Sequence, residues 1–247
     1  DKIVIVAIDD ESYEVLEKRF PWPRSYYAHL LKNLKRAGAK VVLFDIEFDA
    51  PDPENDSTFA ASIKEFKRVI LGTKLTKEGE VLPAEPLRTV YMGFLNKIYD
   101  ADGFVRRYPV KRNGEPSLAL AACKILGKEP EFPEIIHLDF YGPAGTFPYH
   151  SFWTVVDDSS FLIPGIEDES DELNAFDELL KDSVFYGKVV LVGVTMPEFH
   201  DYDQSPFYFY HGKKSPTPGV EIHATALANM LEGRRIRTFS GWKFYLI

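Results

Sequence analysis

Asp9-Asp10, Asp45, His200-Asp201 and Glu221-x-His223 are the residues of this chain whose types and spacing suit chemistry. Asp9 and Asp10 follow an apolar run. Asp45 ends a second run and is followed by Glu47 and Asp49. His200 and Asp201 sit in the loop after a third, and Glu221 and His223 open a helical stretch. Carboxylates gathered in this way suit a hard divalent cation, with Asp9, Asp45 and Asp201 as oxygen ligands. Without a cation they need protons or hydrogen-bond donors to be stable at close quarters. Trp22, between Pro21 and Pro23, and Arg24 complete the candidate ligand-binding set. Trp22 could cover a pocket or anchor its loop in the core, and Arg24 could pair with one of these acids inside the fold. The acids also have structural uses. Asp10 or Ser12 could cap a following turn, and Asp45 could accept from loop amides. The ligand-site and structural readings both stay open. A metal-dependent hydrolase using Asp9, Asp45, His200 and Asp201 is the enzymatic alternative.

Several chemistries find no support. The chain has no G-x-x-x-x-G-K-[ST] or G-x-G-x-x-G phosphate loop, no G-x-S-x-G elbow and no H-E-x-x-H pair. No cofactor is expected. Lys and Arg total 29 against 38 Asp and Glu, a formal charge of −9 over 247 residues. That balance argues against nucleic acid as a partner, which needs a basic face. The single Cys123 rules out a disulfide framework and a cysteine-rich zinc site; on an apolar helix face it reads as core.

The elements that must position these residues alternate between strand and helix. Residues 2–8 form a continuous apolar run, as in a strand buried on both faces. Pro23 opens a helix carrying Tyr26, Tyr27, Leu30, Leu31 and Leu34, closed by Gly38. A strand over Lys40–Ile46, a helix capped by Asp56 or Ser57 running to Lys67, and a strand over Arg68–Gly72 follow. In the middle, Thr89–Leu95 and Phe104–Val110 flank Asp100-Ala101-Asp102-Gly103, the pattern of an antiparallel hairpin. A helix over Ser117–Leu126 and a strand over Ile135–Tyr141 come next. Residues 142–165 read mostly as loop, and a helix lies near Glu172–Leu180. Lys188–Val194 is another buried strand, and a helix runs from Pro218 or Gly219 to Met230, ended by Gly233. The expected fold is one α/β domain: a mixed, mainly parallel central sheet, helices on both faces and an antiparallel hairpin insertion. In such sheets ligands gather at the C-terminal ends of the strands, where the acids and histidines fall.

Taken in order, the motifs resemble the CHASE2 family, the extracytoplasmic sensory domain of bacterial membrane receptors. They are Ile8-Asp9-Asp10 with Ser12, Trp22-Pro23-Arg24-Ser25, Ala37-Gly38-Ala39, Phe44-Asp45-Ile46 with Phe48, and Asp56 before Phe59-Ala60. Asp102-Gly103-x-x-Arg106, Gly187-Lys188-Val189-Val190-Leu191-Val192-Gly193, Asp201 with Pro206, and Pro218-Gly219-Val220-Glu221-Ile222-His223-Ala224 complete the set. Phe20 stands where the family often has the first Trp of Trp-Pro-Trp-Pro-Arg, and Ser205-Pro206 replaces Thr-Pro. Residues 142–182 match no family pattern.

The resemblance implies a sensory domain of a bacterial membrane receptor, with no catalysis of its own. It would lie outside the cytoplasm, bind an extracytoplasmic ligand, and work as a homodimer in the full receptor. Flanking transmembrane helices would connect it to a cytoplasmic output such as a histidine kinase or an adenylate cyclase. A purely structural ectodomain that sets dimer geometry is the other non-enzymatic reading. On this basis residues 1–240 are the sensor domain, and the aromatic, apolar residues 241–247 begin a transmembrane segment. Arg234, Arg235 and Arg237 precede that tail. Such clusters favour the cytoplasmic side, but large domains translocate largely regardless of charge. The −9 charge fits a domain held off an anionic membrane surface.

Overall fold

The run Ile3-Val4-Ile5-Val6-Ala7-Ile8 is buried at every position, because both faces of the strand it forms are covered. The structure, a computed structural model, describes residues 2–18, 20–88, 91–128, 131–161 and 174–237. The chain opens with β1 (Ile3–Ile8), α1 (Asp10–Leu16) and α2 (Arg24–Arg36), then β2 (Val41–Glu47), α3 (Asp56–Phe66), β3 (Val69–Leu75), β4 (Glu80–Val81) and β5 (Met92–Phe94). The short strands β6 (Arg107–Pro109), β7 (Lys111–Arg112) and β8 (Glu115–Pro116) precede α4 (Leu118–Ile125). Then come β9 (Ile135–His137), β10 (Tyr149–Ser151), α5 (Phe152–Val156), α6 (Ala175–Lys181) and β11 (Val189–Val194). Four two-residue strands, β12 (Tyr202–Asp203), β13 (Phe209–Tyr210), β14 (Lys213–Lys214) and β15 (Thr217–Pro218), lead into α7 (Gly219–Glu232).

The central sheet runs β10-β1-β11-β2-β3, all parallel, with β5 parallel and β4 antiparallel against β3. Alternation of side chains along each strand builds one core on each face. Val4, Val6 and Ile8 of β1 face α2, α3 and α5, along with Phe44 and Val192. Ile3 and Ile5 face α4 and α7, along with Leu43 and Leu191. The result is the mainly parallel α/β domain expected, with helices on both faces.

Local details differ where burial outweighed local pattern. Turn Asp100–Gly103 forms, with Gly103 at φ 82° and Asp100 N donating to Phe104 O at 2.9 Å. Its two arms do not pair as one ladder. β5 joins β3 in the main sheet, whereas β6 pairs with β9. Turn residues dictate a reversal, but the partner of a strand is set by which apolar face can be covered. Gly93 makes the β5 pairing possible: a Cβ there would meet the Leu118 backbone at the start of α4, at 2.6 Å. The segment 142–165 contains β10 and α5, and α1 appears where only a turn was expected. The expected membrane segment at 241–247 lies outside the described residues, as do Thr89, Val90 and the start of the helix near 172. Among the described residues no helix is long and apolar enough to cross a membrane.

Candidate functional site

Asp9 ends β1 and caps α1. Its Oδ1 accepts from Ser12 N at 2.9 Å and Ser12 Oγ at 2.6 Å, and its Oδ2 lies 2.6 Å from Ser151 Oγ. Asp9, rather than Asp10 or Ser12, is therefore the cap, and both its oxygens are occupied. Asp10 sits on the surface of the first turn, where partial burial and then Glu198, Asp9 and Glu14 raise its carboxyl above the ordinary range.

Trp22 and Arg24 do not join the acids of the cleft. Trp22 is buried, with Nε1 donating to Lys18 O at 3.1 Å and its ring 4.9 Å from that of Phe152. It is a core anchor. Arg24 donates from Nη2 to Ala50 O at 2.9 Å, covers the Phe48 ring at 4.5 Å, and places Nε 3.5 Å from Asp56 Oδ1. Its acid is thus Asp56, not one of those expected.

Glu221, buried in the first turn of α7, accepts from Gly145 N at 3.0 Å, Thr146 N at 2.9 Å and Tyr149 Oη at 2.8 Å. It fastens the loop 142–149 to α7. His200 is exposed, in a left-handed conformation after the turn Pro197–Phe199.

The remaining candidates converge. Asp45, at the end of β2, places Oδ1 3.5 Å from His223 Nε2, and its Oδ2 is buried without a hydrogen-bond partner. His223 lies 2.7 Å through Nδ1 from Tyr108 Oη. Beside them Lys97, just beyond β5, holds Asp201 Oδ1 and Asp203 Oδ2, both at 2.7 Å from its Nζ. Gly219 is required here, because a Cβ would strike the Asp201 carboxylate. Burial, with the Asp201 carboxylate nearby, pushes the Asp45 carboxyl up to about 8 despite Lys97. Burial and then Lys97 push His223 down to about 3, so its imidazole is neutral. Burial opposes the charge on Lys97, but Asp201, Asp203 and Asp45 outweigh it and hold the ammonium above its ordinary range.

This network lies beneath a cleft of about 550 Å³ at the C-terminal ends of β2, β5 and β11. Asp45, Lys97 and Asp201 line its inner part, and Phe20, Tyr99 and Phe199 wall it, with His200 at the rim. The structure therefore joins Asp45, Asp201 and His223, puts His200 at the edge, and sets Asp9, Asp10, Trp22, Arg24 and Glu221 to other work. The expected Asp9–Asp45–Asp201 metal set does not form. Asp9 is satisfied by Ser12 and Ser151, and Asp201 by Lys97. Among the described residues no three His, Cys, Asp or Glu side chains are grouped to hold a metal ion.

Sequence reasoning missed Lys97, Asp203 and Tyr108. Lys97 lies three residues beyond the end of β5, a strand read from sequence as a hairpin arm. Asp203 stands two residues after Asp201, so both can face one lysine.

Parallel strands delivering polar side chains to a cleft at their C-terminal ends place this domain in the α/β class, in which that edge is where ligands gather. The particular family is settled by comparison. A model of the CHASE2 domain matches residues 1–247, the whole chain. The chain belongs to the CHASE2 family, whose members are sensory domains and extracellular parts of membrane receptors. Compared with curated proteins and with solved structures, it matches none.

Proposed function

We propose that this domain senses a small polar ligand in the cleft over Lys97 and passes the signal to a cytoplasmic output through flanking transmembrane helices. The observation that carries this reading is the Asp45 carboxyl, buried at the cleft with one oxygen unpartnered. Leaving a buried polar atom unpaired costs about 1–3 kcal/mol. A ligand offering a hydrogen-bond donor or a positive charge would satisfy it and replace its proton. Asp201, His200 and Tyr99 are the remaining contact candidates.

A route for the signal starts at α7. Its first turn packs on Asp201 through Gly219 and reaches Asp45 through His223, and its 14 residues extend to the opposite end of the sheet. A helix of that length is about 21 Å long, so a shift at the cleft is carried rigidly across the domain. A signal then requires that the ligand favour one of two arrangements, of the domain or of a homodimer. No catalytic step is part of this reading.

The test is a thermal-shift screen of ammonium, small amines and polar metabolites on this chain and on Asp201→Asn with Tyr99→Ala. A ligand at 100 times its dissociation constant adds about 2.7 kcal/mol of stability, and the double variant loses that gain. Null shifts across the library, or a gain the variant keeps, would refute the cleft and favour an ectodomain that only sets dimer geometry.

A further inference from the structure

The two ends of the sheet differ in charge. Asp9, Asp10, Asp45, Glu47 and Asp201 stand at the C-terminal end, where Lys74 pairs with Glu47 and Lys97 with Asp201. At the other end Lys2, Lys188, Lys40 and Arg68 each immediately precede a strand, respectively β1, β11, β2 and β3. These four strands are consecutive in the sheet, so the four basic residues form a row across its edge. The ladder runs through them: Val189 N donates to Lys2 O at 2.9 Å, Lys40 N to Lys188 O at 2.7 Å, and Val42 N to Arg68 O at 3.0 Å. With strands about 4.8 Å apart, the row gathers four cations along roughly 15 Å.

Like charges on neighbouring strands repel. Among the described residues none of the four is in an ion pair. Lys2, Lys40 and Arg68 are exposed and Lys188 is half-buried. Basic residues at helix C-termini answer the helix dipole, as Lys35 and Arg36 do in α2. The row lies where α2, α3 and α7 also finish, so their dipoles answer part of its charge, and the sheet itself adds little net dipole.

Two features match the row to a membrane rather than to another polyanion. Tyr186, 74% exposed, stands among Lys40, Lys67 and Arg68 around a shallow hollow, and tyrosine favours the membrane–water interface. The chain also enters β1 and leaves α7 at this same end, where Leu231 and Glu232 share a hollow with Lys2 and Ile3.

We infer that this basic end is a docking surface for an anionic phospholipid bilayer, orienting the domain with its cleft pointing away. The inference rests on the membrane-receptor part of the reading above and not on the cleft. It also revises the expectation from net charge: the −9 total is segregated, and the end that faces the membrane is positive.

The test is cosedimentation of this chain with vesicles of phosphatidylcholine alone or with about 30% phosphatidylglycerol, at about 0.1 M salt, where charges are screened over about 10 Å. Binding is expected with the anionic vesicles only and is lost near 1 M salt. Each residue neutralised weakens it about fivefold, equivalent to about 1 kcal/mol. Lys40→Gln alone therefore shows a fivefold loss, and the quadruple Gln variant at Lys2, Lys40, Arg68 and Lys188 a loss of several hundredfold. Glu14→Gln at the opposite end does not weaken binding. Trp fluorescence of Tyr186→Trp shifts to the blue on the anionic vesicles. Equal binding to neutral vesicles, wild-type binding by the folded Gln variants, binding without the blue shift, no vesicle binding at all, or tighter binding to duplex DNA than to vesicles would each overturn the proposal. The Gln variants keep any thermal shift measured at the cleft, so the two readings fail separately.

Discussion

Asp45→Asn should raise stability, and the gain should grow with pH. The Asp45 carboxyl rises from its ordinary 3.8 to about 8 on folding, because it is buried beside Asp201. Between those values the folded chain keeps a proton that the unfolded chain has released, so raising the pH favours unfolding by up to about 1.4 kcal/mol per unit. His223 works in the opposite sense. It falls from 6.5 to about 3 on burial, so below about pH 6.5 the unfolded chain holds the extra proton and raising the pH favours folding. The two slopes oppose one another up to about pH 6.5. Above it the Asp45 slope prevails, and the pair removes roughly 1 kcal/mol by pH 8, where the folded carboxyl is half ionised. Asparagine has the size of the protonated carboxyl and no proton to lose. The variant's advantage over wild type should therefore widen by about 2 kcal/mol between about pH 6 and pH 8, then level off by about pH 9. Urea unfolding of both proteins across about pH 5–9, at unchanged m-value, measures it. Parallel profiles would show that Asp45 does not change protonation on folding over this range, as when it is ionised and held by Lys97, and the electrostatic account of the cleft would be wrong.

Lys97→Met leaves Asp203 buried without its cation and should cost about 3–5 kcal/mol, a fall in Tm of roughly 6–20 °C for a domain of this size. Adding Asp203→Asn should restore part of that loss in the same calorimetric measurement. Glu221→Ala removes the acceptor for three donors and should cost about 3 kcal/mol, with faster proteolytic cleavage within residues 142–148. Trp22→Ala should lose about 3–5 kcal/mol in urea unfolding, as expected for a core anchor, while any ligand bound at the cleft is still bound. His200→Ala should change stability by less than about 0.5 kcal/mol, and a thermal shift from a cleft ligand should be smaller in it.

The apolar runs at 2–8, 40–46 and 188–194 determined a buried parallel sheet, because strands this short that are apolar at successive positions must be covered on both faces. The helical spacing of residues 26–34 and 220–231 likewise determined two flanking helices. The ordered motifs determined the family, now matched over residues 1–247. The sequence also placed the acids at strand ends, since the end of an apolar run is visible in one dimension.

Which acids meet was a matter for the tertiary structure. Asp9 and Asp45 look alike in sequence, each closing an apolar strand. β10 brings Ser151 to Asp9, whereas α7 brings His223 to Asp45. Lys97 reaches Asp201 and Asp203 across more than a hundred residues only because β5 joins β3 instead of folding back on β6. The basic row was equally hidden. Lys2, Lys40, Arg68 and Lys188 are scattered in the chain and become neighbours only when β11 inserts between β1 and β2. Periodicity records which face of an element is buried. Strand order, and with it the partner of each charge, depends on long-range packing that leaves no local trace.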